Sequence, residues 1–317
     1  MTKSAAIRRS DIIRDAGVFA AIILLGALFS FSSPHFFSLS NFLNIGKQVT
    51  VLAIAAFAMT FVIISGEIDL SIGPVTSLVG IFAAMTMATG GSAVAALLVA
   101  VATGLIFGTF TGVFVVFGRV PSFIASLGAF SIARGVAYAL TDGRAVAILD
   151  IRYLYTFAEM SPLGVPVSIW IVIIAFLTLH GLLAHSTFGA RVYAVGGNPQ
   201  AARYSGLSVR GTKLSVFLLD GALIGLAGVL LSARLGTGFV DGARNLELDA
   251  IAAVVLGGTS FSGGRGALWR TVAGVLLIGL LNNGLSLVNV NTYFQISIKG
   301  LIIIGAVLAD QIIQRSR

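Results

Sequence analysis

Almost the whole of this chain is starved of charge. Only 10% of its 317 residues are Asp, Glu, Lys or Arg, while 57% are hydrophobic. A soluble domain carries about a quarter charged residues. Mean hydropathy is +1.01. A helix crossing a bilayer needs about 20 predominantly apolar residues, and such windows recur from residue 17 to residue 311. Lipid offers no partner to a free backbone amide, so the fold is restricted to a helix bundle or a closed barrel. Barrel strands would alternate in ~10-residue segments. The runs Val18–Phe31 and Val165–Leu183 are longer and do not alternate. The 38 glycines suit closely packed membrane helices. The expectation is an all-α polytopic membrane protein, with residues 1–317 forming a single transmembrane domain.

Ten spans are expected, at 17–33, 45–65, 71–90, 93–117, 121–141, 166–184, 214–234, 249–262, 268–288 and 293–311. The eighth is short and frayed by Gly257, Gly258, Gly263 and Gly264, the pattern of a broken transporter helix. Lys3, Arg8, Arg9 and Arg14 precede an apolar run in the manner of a signal peptide, but the many later spans favour an uncleaved first helix. Positive residues collect on cytoplasmic ends. With the N-terminus inside, those ends take Lys3, Arg8, Arg9, Arg14, Arg119, Arg191, Arg203, Arg210, Lys213, Arg265, Arg270, Arg315 and Arg317, and ten spans return the C-terminus to the cytoplasm. The outer loops keep Lys47, Arg144, Arg152, Arg234 and Arg244. The net charge of +8 is thus a topology signal and does not point to nucleic acid. No cysteine is present, which removes disulfides and thiolate sites.

Two polar stretches interrupt the spans. Asp142–Pro162 forms an outer loop, its Tyr153 and Tyr155 expected at the headgroup level. His185–Lys213 is the longest cytoplasmic excursion. Within it Asn198-Pro199 reads as an N-cap and first-turn pair, Gln200–Ser205 as a short helix, and Gly206 as its stop. This helix would lie flat on the membrane, as a surface helix on headgroups or as a contact for another protein. An inverted duplication is hinted at by Glu67-Ile-Asp69 after the second span and Glu247-Leu-Asp249 after the seventh, on opposite sides.

Gly197-Asn198, Ala201-Ala202 and Gly206-Leu207 together resemble the coupling segment of the ribose-type ABC importer permeases. Asp69-Leu-Ser-Ile-Gly73, Leu248-Asp-Ala-Ile-Ala-Ala-Val-Val-Leu-Gly-Gly-Thr-Ser260 and Leu281-Asn-Asn-Gly284 resemble three further signatures of that family, in its order. Glu67 departs from the pattern, which has a small residue there. The resemblance implies a permease subunit of an ATP-driven monosaccharide importer in the bacterial inner membrane. It also implies a bundle like that of vitamin B12-type permeases, a second copy of the chain, a cytoplasmic ATP-binding subunit and a periplasmic sugar-binding protein. The coupling loop would be 186–213, acting through Gly197, Asn198, Ala201, Ala202 and Gly206. No cofactor is implied. The chain has no Gly-x-x-x-x-Gly-Lys-Ser/Thr loop to cradle phosphates, so ATP would be hydrolysed on another chain.

Polar residues inside spans are expensive and default to functional hypotheses. Arg134 would line the sugar path or pair with an acid such as Asp220. Asn282 and Asn283 would line the path or bond across helices. Asp69 and Gly73 cap or gate the third span, and Asp249, Gly257 and Gly258 hold a matching structural or gating place in the eighth. Glu67 has three readings: a polar cavity, a salt bridge or cytoplasmic water. Lys299 would snorkel outward. The stripe Gly104-x-x-x-Gly108-x-x-x-Gly112 implies close helix packing, within the chain or between copies. The 22 Phe residues read mainly as lipid-facing bulk. His35, His180 and His185 have no His-Glu-x-x-His frame and no Gly-x-Ser-x-Gly turn exists, so an enzyme is disfavoured. The alternative from another class is an autonomous secondary transporter or channel, which needs carboxylates at mid-membrane.

Overall fold

The structure, a computed structural model, describes residues 3–315, with side chains described from residue 17 onward except at several positions of the last helix. The side chains of Lys3, Arg8, Arg9, Arg14 and Arg315 fall outside that description, and Arg317 lies beyond the described residues.

The described residues fold into α1 (Lys3–Ser32), α2 (Leu39–Ile64), α3 (Ile72–Ala88), α4 (Ala93–Val116) and α5 (Ser122–Thr141), followed by strand β1 (Val146–Ala147) and the short α6 (Ile151–Leu154). A π-helical turn (Tyr155–Glu159) and a 3-10 turn (Pro162–Gly164) lead into α7 (Val167–His185), α8 (Thr187–Gly197), α9 (Pro199–Tyr204) and α10 (Val209–Leu235). Strand β2 (Thr237–Gly238), α11 (Leu246–Leu256), α12 (Leu268–Leu287) and α13 (Thr292–Arg315) complete the chain. Among the described residues, six helices are long and apolar enough to cross a membrane: α2, α4, α5, α7, α10 and α12. This is a multi-pass helical membrane protein.

Serine hydroxyls start several of these helices. Ser38, Ser92, Ser186 and Ser208 each accept from a backbone N–H three residues on, satisfying a donor the helix leaves free. The segment 249–262 is expected as a short span frayed by its glycines, and the structure breaks it earlier than its far end. Helix α11 stops at Leu256, and a turn through Gly257 and Gly258 replaces its second half. A β-carbon at Gly257 would strike the Arg270 carbonyl, and Gly258 has φ +92°, so both glycines serve a tight reversal. At about 1.5 Å per residue, α11 is roughly half the length of a crossing.

The core is centred on α2, whose residues from Thr50 to Ile64 are buried among α7, α8, α10, α11 and α12. Helices α4, α5 and α7 lie outside, with large apolar side chains such as Leu98, Ile106, Phe123 and Ile174 exposed, as a lipid-facing shell requires. The glycine stripe of α4 is spent inside the chain. Gly104 and Gly108 meet the backbone of Gly221, and Gly112 meets Phe217. Gly221 and Gly225 supply the same absence of side chain on α10. Small residues on both helices let the backbones touch, the usual basis of helix association in lipid.

The stretch after α5 folds back over the bundle. Val146 pairs with Gly238 and Ala147 with Thr237, antiparallel. Tyr153 does not sit at a headgroup level: it is fully buried, with its hydroxyl 2.8 Å from Ser232 Oγ. Tyr155 is exposed.

Candidate functional site

Two faces of the bundle carry polar chemistry. The first is the foot formed by α8, α9 and the start of α10. Asn198 caps α9: its Oδ1 accepts from the N–H groups of Gln200 and Ala201, both at 3.0 Å. Pro199 stands at the first helical position, where a missing N–H costs nothing. Gly206, at φ +79°, ends the helix and lets Leu207 N–H bond the Ala202 carbonyl at 3.0 Å. Ala202 is buried beneath the helix, while Gly197, Asn198, Ala201 and Gly206 are exposed.

Much of the joint between the foot and the rest of the bundle is backbone against backbone. Gly66 ends α2, Gly196 and Gly197 end α8, and Gly263 and Gly264 follow α11. These three segments stack so closely that a β-carbon at Gly196 would strike the Ile64 carbonyl, and one at Gly263 would lie 2.8 Å from the Gly196 carbonyl oxygen. Gly264 N–H donates to the Ile64 carbonyl at 2.8 Å. The Tyr193 hydroxyl donates to the Gly266 carbonyl at 2.8 Å.

Beside the foot opens a cleft of about 670 Å³, lined by Arg119, Arg203, Arg210 and Lys213 with Glu67 and Gln200. Lys213 and Glu67 form an ion pair, both largely shielded from solvent. Glu67 therefore holds the turn after α2 to the first turns of α10.

On the far face, where α2 and α11 begin and α10 ends, lie two smaller adjoining clefts. One, about 170 Å³, is lined by Ser77, Phe130, Arg134, Arg244, Asn245 and Glu247. Arg134 does not reach Asp220; its guanidinium donates to Asp241 at 2.6 Å and lies 5.5 Å above the Phe130 ring. The other cleft, about 260 Å³, is lined by Gln48, Arg234, Arg244, Asp249 and Asn282 among others. Arg244 borders both clefts. Arg134 and Asn282 thus belong to one polar tract.

Asn283 does not join them. Its amide pairs reciprocally with that of Asn41, at 3.1 and 2.9 Å, both residues being buried. It bonds α12 to the first turn of α2. Asp249 accepts from Lys299 at 2.8 Å, so Lys299 turns inward to a carboxylate and does not snorkel. Gly73 lies against the Glu247 carboxyl, which brings the starts of α3 and α11 together. Asp69 caps the turn ahead of α3: its Oδ1 accepts from Ser71 N–H and Ser71 Oγ, at 2.7 and 2.6 Å. Asp241 and Lys213 were not singled out as partners in the sequence. Nothing local marks them, because each meets its partner more than 100 residues away.

The foot, the buried ion pair beside it and the polar tract opposite lie along most of the length that one family covers. Residues 41–307 match the family described as "branched-chain amino acid transport system / permease component".

This chain belongs to that permease family.

Ribose import permease protein RbsC of Escherichia coli (strain K12) is 42% identical to this permease over 293 residues, covering 92% of this chain and 91% of that one. The Bacillus subtilis (strain 168) ribose import permease is 38% identical over 311 residues, covering 98% and 97%. The xylose transport system permease protein XylH of Haemophilus influenzae is 34% identical over 354 aligned positions, covering 92% and 94%. No solved structure matches. The resemblance drawn from the sequence motifs therefore holds: this is a permease of the ribose-type ABC importer group, a transport subunit in kind.

Proposed function

We propose that this permease is the membrane-spanning subunit of an ATP-driven monosaccharide importer. In this reading ten helices lie in the bacterial inner membrane in a bundle like that of vitamin B12-type permeases, with both termini in the cytoplasm. The foot face is cytoplasmic and meets a separate ATP-binding subunit through 186–213. The far face is periplasmic and receives sugar from a soluble binding protein. A second copy of the chain completes the channel. The inverted repeat belongs to this reading, supported by the paired starts of α3 and α11 after Glu67-Ile-Asp69 and at Glu247-Leu-Asp249.

One observation carries the reading: an exposed, well-capped short helix is joined to two other parts of the bundle by glycine backbone. Contacts of backbone on backbone have no rotamers to absorb a displacement, and the Lys213–Glu67 pair and the Tyr193 hydroxyl reinforce them. A push on α9 is therefore passed to the end of α2 and to the turn behind α11. An ATP-binding subunit that contacts the foot differently in its two states can bias the bundle between outward-open and inward-open forms. The far tract, with Arg134, Arg244, Asn282 and Glu247, offers hydrogen-bonding groups to hydroxyls. The relatives named for ribose and xylose support a monosaccharide, with its identity set by the binding protein.

The test is Ala201→Arg in the complex reconstituted with its ATP-binding and binding-protein subunits. The variant should insert normally and lose sugar-stimulated ATP hydrolysis. Stimulation equal to that of the wild type would reject the coupling assignment.

An autonomous ion-coupled carrier has one observation in its favour: Asp69 and Asp220 are both buried deep in the bundle. Uptake that survives deletion of the ATP-binding subunit and stops with a protonophore would establish that reading instead.

A further inference from the structure

Three arginines line one cleft without a partner among the described residues. Arg119, Arg203 and Arg210 border the cleft of about 670 Å³ beside the foot, together with Lys213. All three are exposed, and among the described residues none of their side chains makes a hydrogen bond or an ion pair. Glu67, the carboxylate that lines the cleft, is already engaged by Lys213. Like charges gathered in one cleft repel each other, and its walls concentrate their field. The cleft therefore attracts an anion.

Its place in the bundle narrows the kind of anion. Helix α4 runs for 24 residues, about 36 Å at 1.5 Å per residue, enough to cross a hydrocarbon core of about 30 Å. Arg119 comes three residues after its end, at the depth of the headgroups. The turn that carries Arg119 is closed: Val120 N–H donates to the Phe114 carbonyl at 3.1 Å. Val115 and Val116 give the cleft an apolar wall, and Phe114 and Phe117 in the same turns are exposed. Basic and apolar surfaces thus adjoin at the membrane boundary. That combination suits a molecule with an anionic head and acyl chains, and basic pockets between spans take such headgroups.

The residue type points to phosphate. A guanidinium presents a planar fork of donors that matches phosphate oxygens. Here the forks come from three separate elements: the turn after α4, helix α9 and the start of α10. The residues assigned to coupling are elsewhere. Gly197, Asn198, Ala201 and Gly206 do not line the cleft, to which α9 contributes Arg203. A partner subunit can meet the coupling residues while the cleft holds something else.

We propose that this cleft binds the phosphate-bearing headgroup of an anionic phospholipid through Arg119, Arg203 and Arg210, and that the bound lipid ties the end of α4 to the foot. The inference needs only a chain that spans a membrane. It does not depend on the solute carried or on the ATP-binding subunit.

The experiment uses the full chain purified in neutral detergent. Native mass spectrometry counts retained lipid, and thermal unfolding is followed as phosphatidylglycerol, net-neutral phosphatidylcholine or inorganic phosphate is added. The wild type should retain phosphatidylglycerol in preference to phosphatidylcholine and melt higher with it. Arg119→Gln, Arg203→Gln and Arg210→Gln should each weaken phosphatidylglycerol binding about fivefold. Arg144→Gln combined with Arg152→Gln removes two exposed cations outside the cleft and should leave binding unchanged. The three cleft arginines are exposed, so each variant should melt within about 2 °C of the wild type before lipid is added. Should one fail to fold, the other two decide. Binding equal to that of the wild type in the cleft variants overturns the proposal, as does an equal loss in the Arg144 and Arg152 variant. Stabilisation by inorganic phosphate as large as that by phosphatidylglycerol would mean a free-anion site and overturns the lipid. Cleft variants that bind lipid normally but no longer assemble with the ATP-binding subunit would give the cleft to that subunit, which also overturns it.

Discussion

Gly264 rests its backbone on Gly197: a β-carbon at Gly264 would come within 2.5 Å of the Gly197 Cα, and Gly264 itself stands at φ +70°. The contact is one-sided. A β-carbon at Gly197 would meet nothing closer than 3.8 Å.

Gly264→Ala should therefore destabilise the permease by about 3 kcal/mol, combining a left-handed backbone with backbone overlap. Gly197→Ala should cost less than about 1 kcal/mol. Thermal unfolding of the two variants in the same detergent checks the contrast. Equal losses would mean that the glycine joint is not tight.

The paired amides of Asn41 and Asn283 make a second test. Asn283→Ala leaves the Asn41 amide buried and unpaired, for a loss of about 1–3 kcal/mol. Replacing both by Leu removes the orphan and should recover most of that loss. Uptake by the double variant should persist, since this pair holds α12 to α2. Asn282→Ala, in the open cleft, should lower uptake while leaving the melting temperature within about 2 °C, a surface-type effect. The opposite pattern would exchange the roles of the two neighbours.

Lys213 and Glu67 are both mostly shielded, so removing one partner strands the other. Lys213→Met should destabilise by about 2–4 kcal/mol. The exchange Glu67→Lys with Lys213→Glu should restore part of the loss, read as a positive coupling in a double-mutant cycle. A coupling near zero would place the pair among the exposed bridges that contribute little.

Tyr153 gives a pH test. Burial pushes its phenol up to about 12, from an ordinary value near 10, with the hydrogen bond to Ser232 pulling weakly the other way. The folded state therefore holds the phenolic proton more tightly than the unfolded state does. The resulting stability is complete below pH 10 and is lost as the pH rises through 12. The two-unit difference corresponds to about 3 kcal/mol. Tyr153→Phe should be less stable at neutral pH by about 1 kcal/mol and should lose less stability than the wild type between pH 10 and 12. Parallel pH curves would reject the assignment.

Much of the fold was legible because its signals are local. Helices cover all or part of the expected segments, and six of them are long and apolar enough to cross a membrane, since long apolar runs bounded by Ser, Gly and Pro leave the backbone little else to do in lipid. Asn198-Pro199 marked the start of α9 to the residue, and Gly206 its stop to within one residue, the helix ending at Tyr204 against the expected Ser205. The end of α11 was less legible: Val254 and Val255 continue an apolar pattern, and only the approach of Arg270 in α12 shows why Gly257 and Gly258 turn there. Tyr153 was misplaced for a similar reason. An aromatic in a polar loop suits a headgroup layer, and its burial depends on β1 finding β2 beyond α10.

Solvent, helix content and the short foot helix follow from composition and from neighbours within one or two turns, because hydrophobic transfer and capping act at that range. The partners of the charges do not. Arg134 meets Asp241 and not Asp220, Lys299 turns to Asp249, and Glu67 finds Lys213. Each pairing is chosen by helices that pack side by side only after the chain has folded, and a buried charge takes whichever opposite charge that packing brings within reach.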